Sequence, residues 1–146
     1  MQIGRGSFHR QKRGIGYAAN VTLAVDSSAL TPYRRIDCHG EGFRSQGYIE
    51  RATETGYEDW KWGALEGASY GLRVVGHPEY GVAVTEIEGL TTDTNPTVVA
   101  FASALAVWNA LSFEPRPEEM ERLEAQVYTS WDAPAGSSQA LSFGEE

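Results

Sequence analysis

The sequence has few of the residues from which metal and redox sites are usually built. Its 146 residues include one cysteine, Cys38, and three histidines. A single cysteine excludes a disulfide within the chain, and without a second cysteine or histidine pair at ligand spacing it predicts no zinc site. We therefore expect no metal, no cofactor and a reducing, cytoplasmic setting.

Long apolar runs are also missing. No run approaches the roughly 20 residues that a membrane-spanning helix needs, and the polar, basic N-terminal segment does not fit a signal peptide. Hydrophobic residues still make up 41% of the chain and aromatic residues 11%, which is typical of a globular protein. This length and composition predict a single hydrophobic core and no membrane partner.

Positive charge is scarce and unevenly spread. The chain has 12 Lys and Arg against 20 Asp and Glu, a net charge of −8. Residues 1–35 nevertheless hold six basic residues and one acidic residue, whereas residues 114–146 hold two basic and eight acidic ones. Since phosphate contacts supply non-specific affinity, we do not expect the whole surface to bind nucleic acid. RNA contact at one basic end stays open, as does a solvated surface without any such role.

The common nucleotide-binding motifs are absent or out of context. The chain contains no G-x-x-x-x-G-K-[ST] sequence, so we expect it neither to bind nor to hydrolyse a nucleoside triphosphate. GIGYAA at residues 14–19 imitates part of a dinucleotide fingerprint, but it precedes a strand instead of joining a strand to a helix. We therefore reject a nucleotide site.

Two residues are candidate nucleophiles, and neither has the expected surroundings. GASYG at residues 67–71 matches G-x-S-x-G, but Ser69 falls in a helical pattern and no histidine follows Asp93. Cys38 stands between Asp37 and His39, which is a poor zinc pattern and is more often an ordinary loop. An enzyme that uses Cys38 or Ser69 therefore ranks last among the functions that we consider, and we predict no catalytic residue.

Alternating patterns predict three strands. In YAANVTLAV, residues 17–25, apolar and small side chains fall on one face, as in a half-buried strand. Residues 3–10 are a candidate partner strand, and the charged, glycine-ended HRQKRGIG at residues 9–16 predicts a hairpin loop between the two. YGVAVTEIEG, residues 80–89, predicts the third strand.

A first helix is predicted for residues 57–72 by an apolar stripe at helical spacing. Gly63, Gly67 and Gly71 recur every four residues within it, although each costs about 1 kcal/mol relative to alanine in a helix interior. Such a smooth face favours close packing on a second helix. The expected partners are the small residues of the alanine-rich helix further along: Ala100, Ala102, Ala104 and Ala106.

The second helix has a clear start. Asn95 followed by Pro96 predicts an N-cap and a proline at the first helical position. The preceding Thr91–Thr94 are not needed for that start, and we predict that they face outward. A third, acidic helix is predicted for residues 117–128.

The remaining segments give weaker patterns. Residues 26–56 predict loop with one short strand near residues 42–48, and the final DAPAGSSQALSFGEE predicts a loosely ordered tail. We place the domain at residues 1–113, followed by the acidic helix and tail at residues 114–146.

Four of these segments together resemble domain IV of elongation factor G and of the related ribosomal protection proteins. SFHRQKRGIGYAANVTLAV resembles that domain's first strand, tip loop and second strand, and YEDWKWGALEGASYG resembles its first helix. Residues 76–84 resemble the strand entry that follows this helix. EIEGLTTDTNPTVVAFASALAVWNAL resembles the second tip loop and helix, so that the resemblance covers residues 5–111.

The resemblance implies a small two-layer α+β domain of the ribosomal protein S5 domain 2-like kind, with two helices packed on one face of a mixed sheet. It also implies that two tip loops meet at one end and contact ribosomal or other structured RNA. By position, the expected RNA-binding residues are Arg10, Gln11, Lys12 and Arg13 in the first loop, and Thr91, Thr92, Asp93, Thr94 and Asn95 in the second.

The chain departs from the family at Thr92, which stands where the family usually has a histidine. Its acidic tail does not resemble the domain that follows in the factor. The alternative hypothesis is therefore that the fold is retained while a protein partner or a homo-oligomer has replaced the RNA. Four tryptophans in a short chain agree with such an interface, since aromatic residues are enriched there.

Overall fold

The computed structural model describes residues 1–43 and 49–132. A long hairpin comes first, followed by three short strands, a helix, a third long strand and two further helices. Within these described residues, three helices and one 3-10 turn accompany the strands. The strands are β1 (Gln2–Lys12), β2 (Ile15–Asp26), β3 (Tyr33–Ile36), β4 (Gly42–Phe43), β5 (Ile49–Arg51) and β6 (Gly81–Leu90), and the helices are α1 (Glu58–Val75), α2 (Pro96–Ala110) and α3 (Pro117–Tyr128), followed by the 3-10 turn Ser130–Asp132.

The strands form one mixed sheet in the order β1-β2-β6-β5-β4, with β3 also paired to β6. β1, β2 and β6 are antiparallel neighbours, whereas β3 runs parallel to β6. One edge of β6 is thus shared by two short strands: β3 pairs with its beginning and β5 with its end. The predicted two-layer α+β fold with a mixed sheet is confirmed.

The helices cover one face of this sheet. Side chains that alternate along β1, β2 and β6 point into the core, among them Phe8, Val21, Leu23 and Ile87. α2 is buried nearly all round because it lies between the sheet, α1 and α3. Apart from Lys61, the buried residues of α1 are small or apolar, as the sequence pattern predicts.

α1 and α2 pack against each other at very short range, as the glycine spacing predicts. A Cβ on Gly67 would overlap the backbone of Ala100, and one on Gly71 would lie 3.4 Å from the Cα of Ala104. The prediction that Ala102 and Ala106 also face α1 is wrong, since their carbonyls lie where Cβ atoms on Gly6 and Gly4 of β1 would be. Small residues on opposite sides of α2 therefore admit α1 on one side and β1 on the other.

The short strands were predicted less well than the long ones. Of the strand expected near residues 42–48, Gly42–Phe43 is confirmed and residues 44–48 lie outside the described part. β3 and β5 replace predicted loop, because their backbones find partners along the free edge of β6. The predicted loosely ordered tail lies outside the described residues from position 133 onward.

α3 is the predicted acidic helix, and it shares the core of the domain. Its Leu123 and Val127 are fully buried, and Arg122 donates to the hydroxyl of Tyr70 on α1 at 2.8 Å. The end of α3 reaches the hairpin, since Tyr17 donates its hydroxyl to the carbonyl of Tyr128 at 3.0 Å. Among the helices of residues 1–43 and 49–132, none is long and apolar enough to span a membrane.

Candidate functional site

The hairpin between β1 and β2 ends in a two-residue turn, Arg13–Gly14. Both residues have positive φ, 55° at Arg13 and 80° at Gly14, as the type I′ turns favoured in such hairpins require. Gly14 adopts this conformation without strain, whereas the left-handed conformation costs a residue with a side chain about 1–2 kcal/mol of conformational energy. Asparagine or glycine would be the ordinary choice at position 13, so the chain presents a cation at its tip at a conformational cost.

Two further cations lie beside the turn, on the side of the sheet that carries the helices. The guanidinium of Arg10 lies 5.0 Å from the ring centre of Phe8, and the ammonium of Lys12 lies 4.4 Å from that of Tyr128. Both side chains remain exposed. Cation–π contacts of this kind orient a cation without neutralising it.

Gln11 lies between them in sequence and is also exposed. Because alternate residues of a strand point to opposite faces, it lies on the face opposite to Arg10 and Lys12. The hairpin loop predicted for residues 9–16 is too long, because the two strands pair as far as Lys12 and Ile15 and leave only Arg13–Gly14 as a turn. Arg10 and Lys12 are therefore strand residues, and they present their charges on one side of the sheet.

The second loop, residues 91–95, lies directly beside the hairpin. β2 extends beyond the end of β6, and the amide of Ala18 donates to the carbonyl of Asp93 at 2.8 Å. The carboxylate of Asp93 rests on Gly16, where a Cβ would come within 2.5 Å of it. The predicted meeting of two loops at one end of the sheet is confirmed.

Thr94 and Asn95 do not face outward, and the prediction that Thr94 does is wrong. The hydroxyl of Thr94 accepts from the amide of Leu90 at 2.8 Å and donates to the carbonyl of Ala18 at 2.5 Å. The Thr94 hydroxyl thus provides hydrogen bonds in place of the strand-to-strand backbone bonds that β2 loses where β6 ends.

Asn95 is buried for a local reason that the sequence did indicate. Its side-chain oxygen accepts from the amide of Val98 at 2.8 Å, which confirms the predicted N-cap of α2. Its side-chain amide donates to Ser130 at 2.8 Å, so it also joins the start of α2 to the turn after α3.

The exposed part of the second loop consists of Thr91 and Thr92, with Asp93 half-buried. Thr91 donates to Glu50 at 2.9 Å, and Thr92 donates to Asp93 at 3.2 Å. Both hydroxyls therefore donate to carboxylates, and a hydroxyl that donates its proton in this way cannot also donate it to a phosphate oxygen. This loop is therefore not suited to binding phosphate.

Glu50 connects the second loop to the start of α1. Its carboxylate accepts from Thr91 and, at 2.6 Å, from the hydroxyl of Tyr57. Burial, together with this hydrogen bond to a carboxylate, raises the pKa of Tyr57 to about 12. Tyr57 therefore stays protonated near neutral pH and donates to Glu50.

The two candidate nucleophiles do not form a reactive site. Cys38 is 2% exposed, and its sulfur lies 3.8 Å from the carbonyl of Val84. Burial raises the pKa of its thiol, which disfavours the nucleophilic thiolate. Asp37 and His39 bind each other at 3.0 Å on the exposed side. Ser69 lies within α1 and accepts from Arg34 at 2.9 Å, so the strand–turn–helix that a nucleophile elbow needs is missing there.

Sequence reasoning missed a row of polar contacts across the open face of the sheet. His9 contacts Asn20 at 2.9 Å, Asn20 donates to Glu88 at 2.6 Å, and Glu88 binds Arg51 at 2.7 Å. These residues lie on β1, β2, β6 and β5, so only the register of four strands brings them together. They couple the strands, and Arg51, which also binds Glu41 and Glu86, offsets only part of the negative charge there.

Trp131 is one of the four tryptophans that the sequence analysis related to an interface, but sequence reasoning missed its contact with the hairpin, which it makes from the turn after α3. Its indole nitrogen donates to the carbonyl of Gly16 at 3.3 Å, and its side chain is 40% exposed. No signal in the sequence predicts the contact between Trp131 and Gly16, because the two residues are 115 positions apart.

Comparisons with known proteins bear on the fold. No protein-family model matches the chain, and no curated protein matches it. Among solved structures, it is similar to a protein from Thermus thermophilus, with a TM-score of 0.55 and 16% identity over 73% of this chain and 15% of that one. It is also similar to a mevalonate kinase, with a TM-score of 0.48 and 11% identity over 98% of this chain and 51% of that one.

The aligned part of the chain thus spans 15% of the Thermus protein and about half of the mevalonate kinase. Identity this low shows a shared fold and nothing about activity. The similarity to the Thermus protein supports an α+β fold for this chain.

Proposed function

We propose that this chain is a non-catalytic module that contacts structured RNA, such as that of the ribosome, through the hairpin tip and the second loop. The observation that carries the proposal is that an exposed cationic turn and a loop of exposed hydroxyls lie side by side, joined by the bond from Ala18 to Asp93. The resemblance to domain IV of elongation factor G suggests the same surface.

The cations of the hairpin would contact phosphates. Arg10, Lys12 and Arg13 are exposed, and lysine and arginine provide most protein contacts to phosphate oxygens. The left-handed φ of 55° at Arg13 supports a role for its side chain, because strained residues cluster at functional positions.

The second loop would contact sugars and bases instead. Glu50 and Asp93 make this end of the sheet acidic, which repels phosphate, while the hydroxyl oxygen of the exposed Thr92 can accept a hydrogen bond. A 2′-hydroxyl or an exocyclic amine can donate to such an oxygen. The two loops thus divide the contacts between the backbone and the base side of the RNA.

Titration of a fluorescently labelled RNA stem-loop, followed by anisotropy at several salt concentrations, tests the proposal. With about three phosphate contacts, log K should fall with log salt with a slope of about −2 to −3. The triple variant Arg10→Ala, Lys12→Ala, Arg13→Ala should lose most of the binding and leave a slope near zero. Unchanged binding by this variant would contradict the proposal.

A matched control removes three exposed arginines from elsewhere, Arg35, Arg73 and Arg116. It should bind the stem-loop almost as wild type does, although its net charge changes by the same amount. Light scattering separates the alternative function: a stable dimer that covers the two loops would favour a homo-oligomeric role over RNA contact.

A further inference from the structure

The edge of β2 beyond the end of β6 is completed by two different parts of the chain. The second loop comes first, where Thr94 and Asp93 bind the carbonyl and the amide of Ala18. Next along the same edge, the indole of Trp131 binds the carbonyl of Gly16. Because residues two apart in a strand direct their carbonyls to the same side, Trp131 lies in line with the second loop.

The C-terminal end of α3 therefore contributes to the pole at which the two loops meet. Tyr128 packs edge-on against Tyr17 at 5.3 Å and carries the ammonium of Lys12 above its ring. Trp131 follows three residues later. Gly16 lies two residues along the chain from Gly14 of the turn, which at a strand rise of about 3.3 Å per residue places it within roughly 7 Å of the turn. The indole bound to Gly16 is therefore close to the cationic turn.

The indole is fixed at one edge and exposed over much of its surface. Its N–H is used by Gly16, so the ring is held against the hairpin, and 40% of the side chain remains accessible. A large exposed aromatic ring held beside cations is the arrangement by which proteins stack the bases of single-stranded nucleic acid.

We propose that Trp131 stacks an unpaired base of the RNA whose phosphates contact the cationic hairpin. This inference rests on the proposed function and narrows its ligand to RNA with unpaired nucleotides, such as a loop, a bulge or a strand end. Within fully paired RNA, each base is stacked between its neighbours, so no base face is accessible to the indole. Trp131 thus becomes a specificity residue outside the two loops.

The test compares two probes, a labelled RNA stem-loop and a blunt RNA duplex of matched length. Loss of base stacking lowers affinity by about five- to 150-fold when an aromatic residue is replaced by alanine. We expect Trp131→Ala to weaken stem-loop binding by that factor, to leave duplex binding unchanged and to keep the salt slope of wild type. Trp131→Phe should retain most of the affinity, since phenylalanine also stacks.

Trp62 on α1 supplies the control, because its side chain is 37% exposed and thus matches Trp131. Trp62→Ala should bind the stem-loop as wild type does. A second measurement avoids any effect of the substitution on folding: the indole N–H resonance of Trp131 in the wild-type protein, assigned by its absence in Trp131→Phe, should shift when the stem-loop is added.

The outcomes separate the inference from the function on which it depends. A Trp131 resonance that does not move at saturating stem-loop, or equal affinities of wild type and Trp131→Ala, overturns the stacking role. If the cationic triple variant still loses binding in that case, the proposed RNA contact stands. A wild-type protein that binds neither probe overturns both.

Discussion

The turn Arg13–Gly14 and the loop at residues 91–95 lie side by side, and they use their side chains differently. In the turn, Arg13 has a left-handed backbone and an exposed side chain that contributes nothing to the core. In the loop, Thr94 and Asn95 are 6% and 8% exposed and replace missing backbone partners. Adjacent polar loops can therefore serve opposite purposes, one presenting charge outward and the other completing the edge of the sheet.

The strongest test of this comparison is Thr94→Val, which keeps the shape of the side chain and removes its hydroxyl. The amide of Leu90 and the carbonyl of Ala18 would both lose their buried partner. We expect the free energy of unfolding to fall by about 2–4 kcal/mol, measured by urea denaturation. Thr92→Val at the exposed position should change it by less than about 0.5 kcal/mol. Equal effects of the two substitutions would contradict the structural role of Thr94.

A smaller effect is expected at Asn95, whose side chain caps α2 and also donates to Ser130. Asn95→Ala should lower the free energy of unfolding by about 1–2 kcal/mol, as N-cap losses do. Asn95→Asp keeps the acceptor for the amide of Val98 and removes the donor to Ser130, so it should cost clearly less. If thermal or urea unfolding shows the two variants to be equal, the contact with Ser130 and not the cap is the important one.

The smallest effect, with the opposite sign, is expected at the turn. Arg13→Asn places the favoured Asn–Gly pair at a type I′ turn and should raise the free energy of unfolding by about 0.5–1 kcal/mol. The same change removes a cation and should weaken binding to the RNA stem-loop in the anisotropy assay.

Lys12→Asn provides the comparison, because Lys12 ends an extended strand. It removes the same charge without relieving a left-handed residue. It should weaken RNA binding without any gain in stability, and a gain equal to that of Arg13→Asn would show that strain at the turn is not the cause.

Much of the fold could be predicted because its signals are local. Alternation identified β2 and β6, and the spacing of small and apolar residues identified α1 and its contact with α2. Asn95 and Pro96 fixed the start of α2, since capping depends on only a few neighbouring residues. The presence of a hairpin and of its cations could likewise be predicted from one short segment, although the predicted loop at residues 9–16 was longer than the turn Arg13–Gly14.

The parts that could not be predicted depend on distant partners. β3 and β5 carry polar side chains and become strands because β6 offers a free edge. The row from His9 to Arg51 needs the register of four strands, and the contact of Trp131 with Gly16 joins opposite ends of the described chain. The difference in burial between Thr92 and Thr94 has the same origin, because the distance by which β2 extends beyond the end of β6 decides which hydroxyl is buried.

The sequence by itself thus determined the long strands, the helices, the capping of α2 and the cationic turn, because each depends on the order of nearby residues. The tertiary structure alone decided which polar side chains are available for contacts at the end of the sheet where the turn and the second loop meet. Availability is set by which backbone groups lose their partner where one strand ends before its neighbour, and that is a property of the assembled sheet.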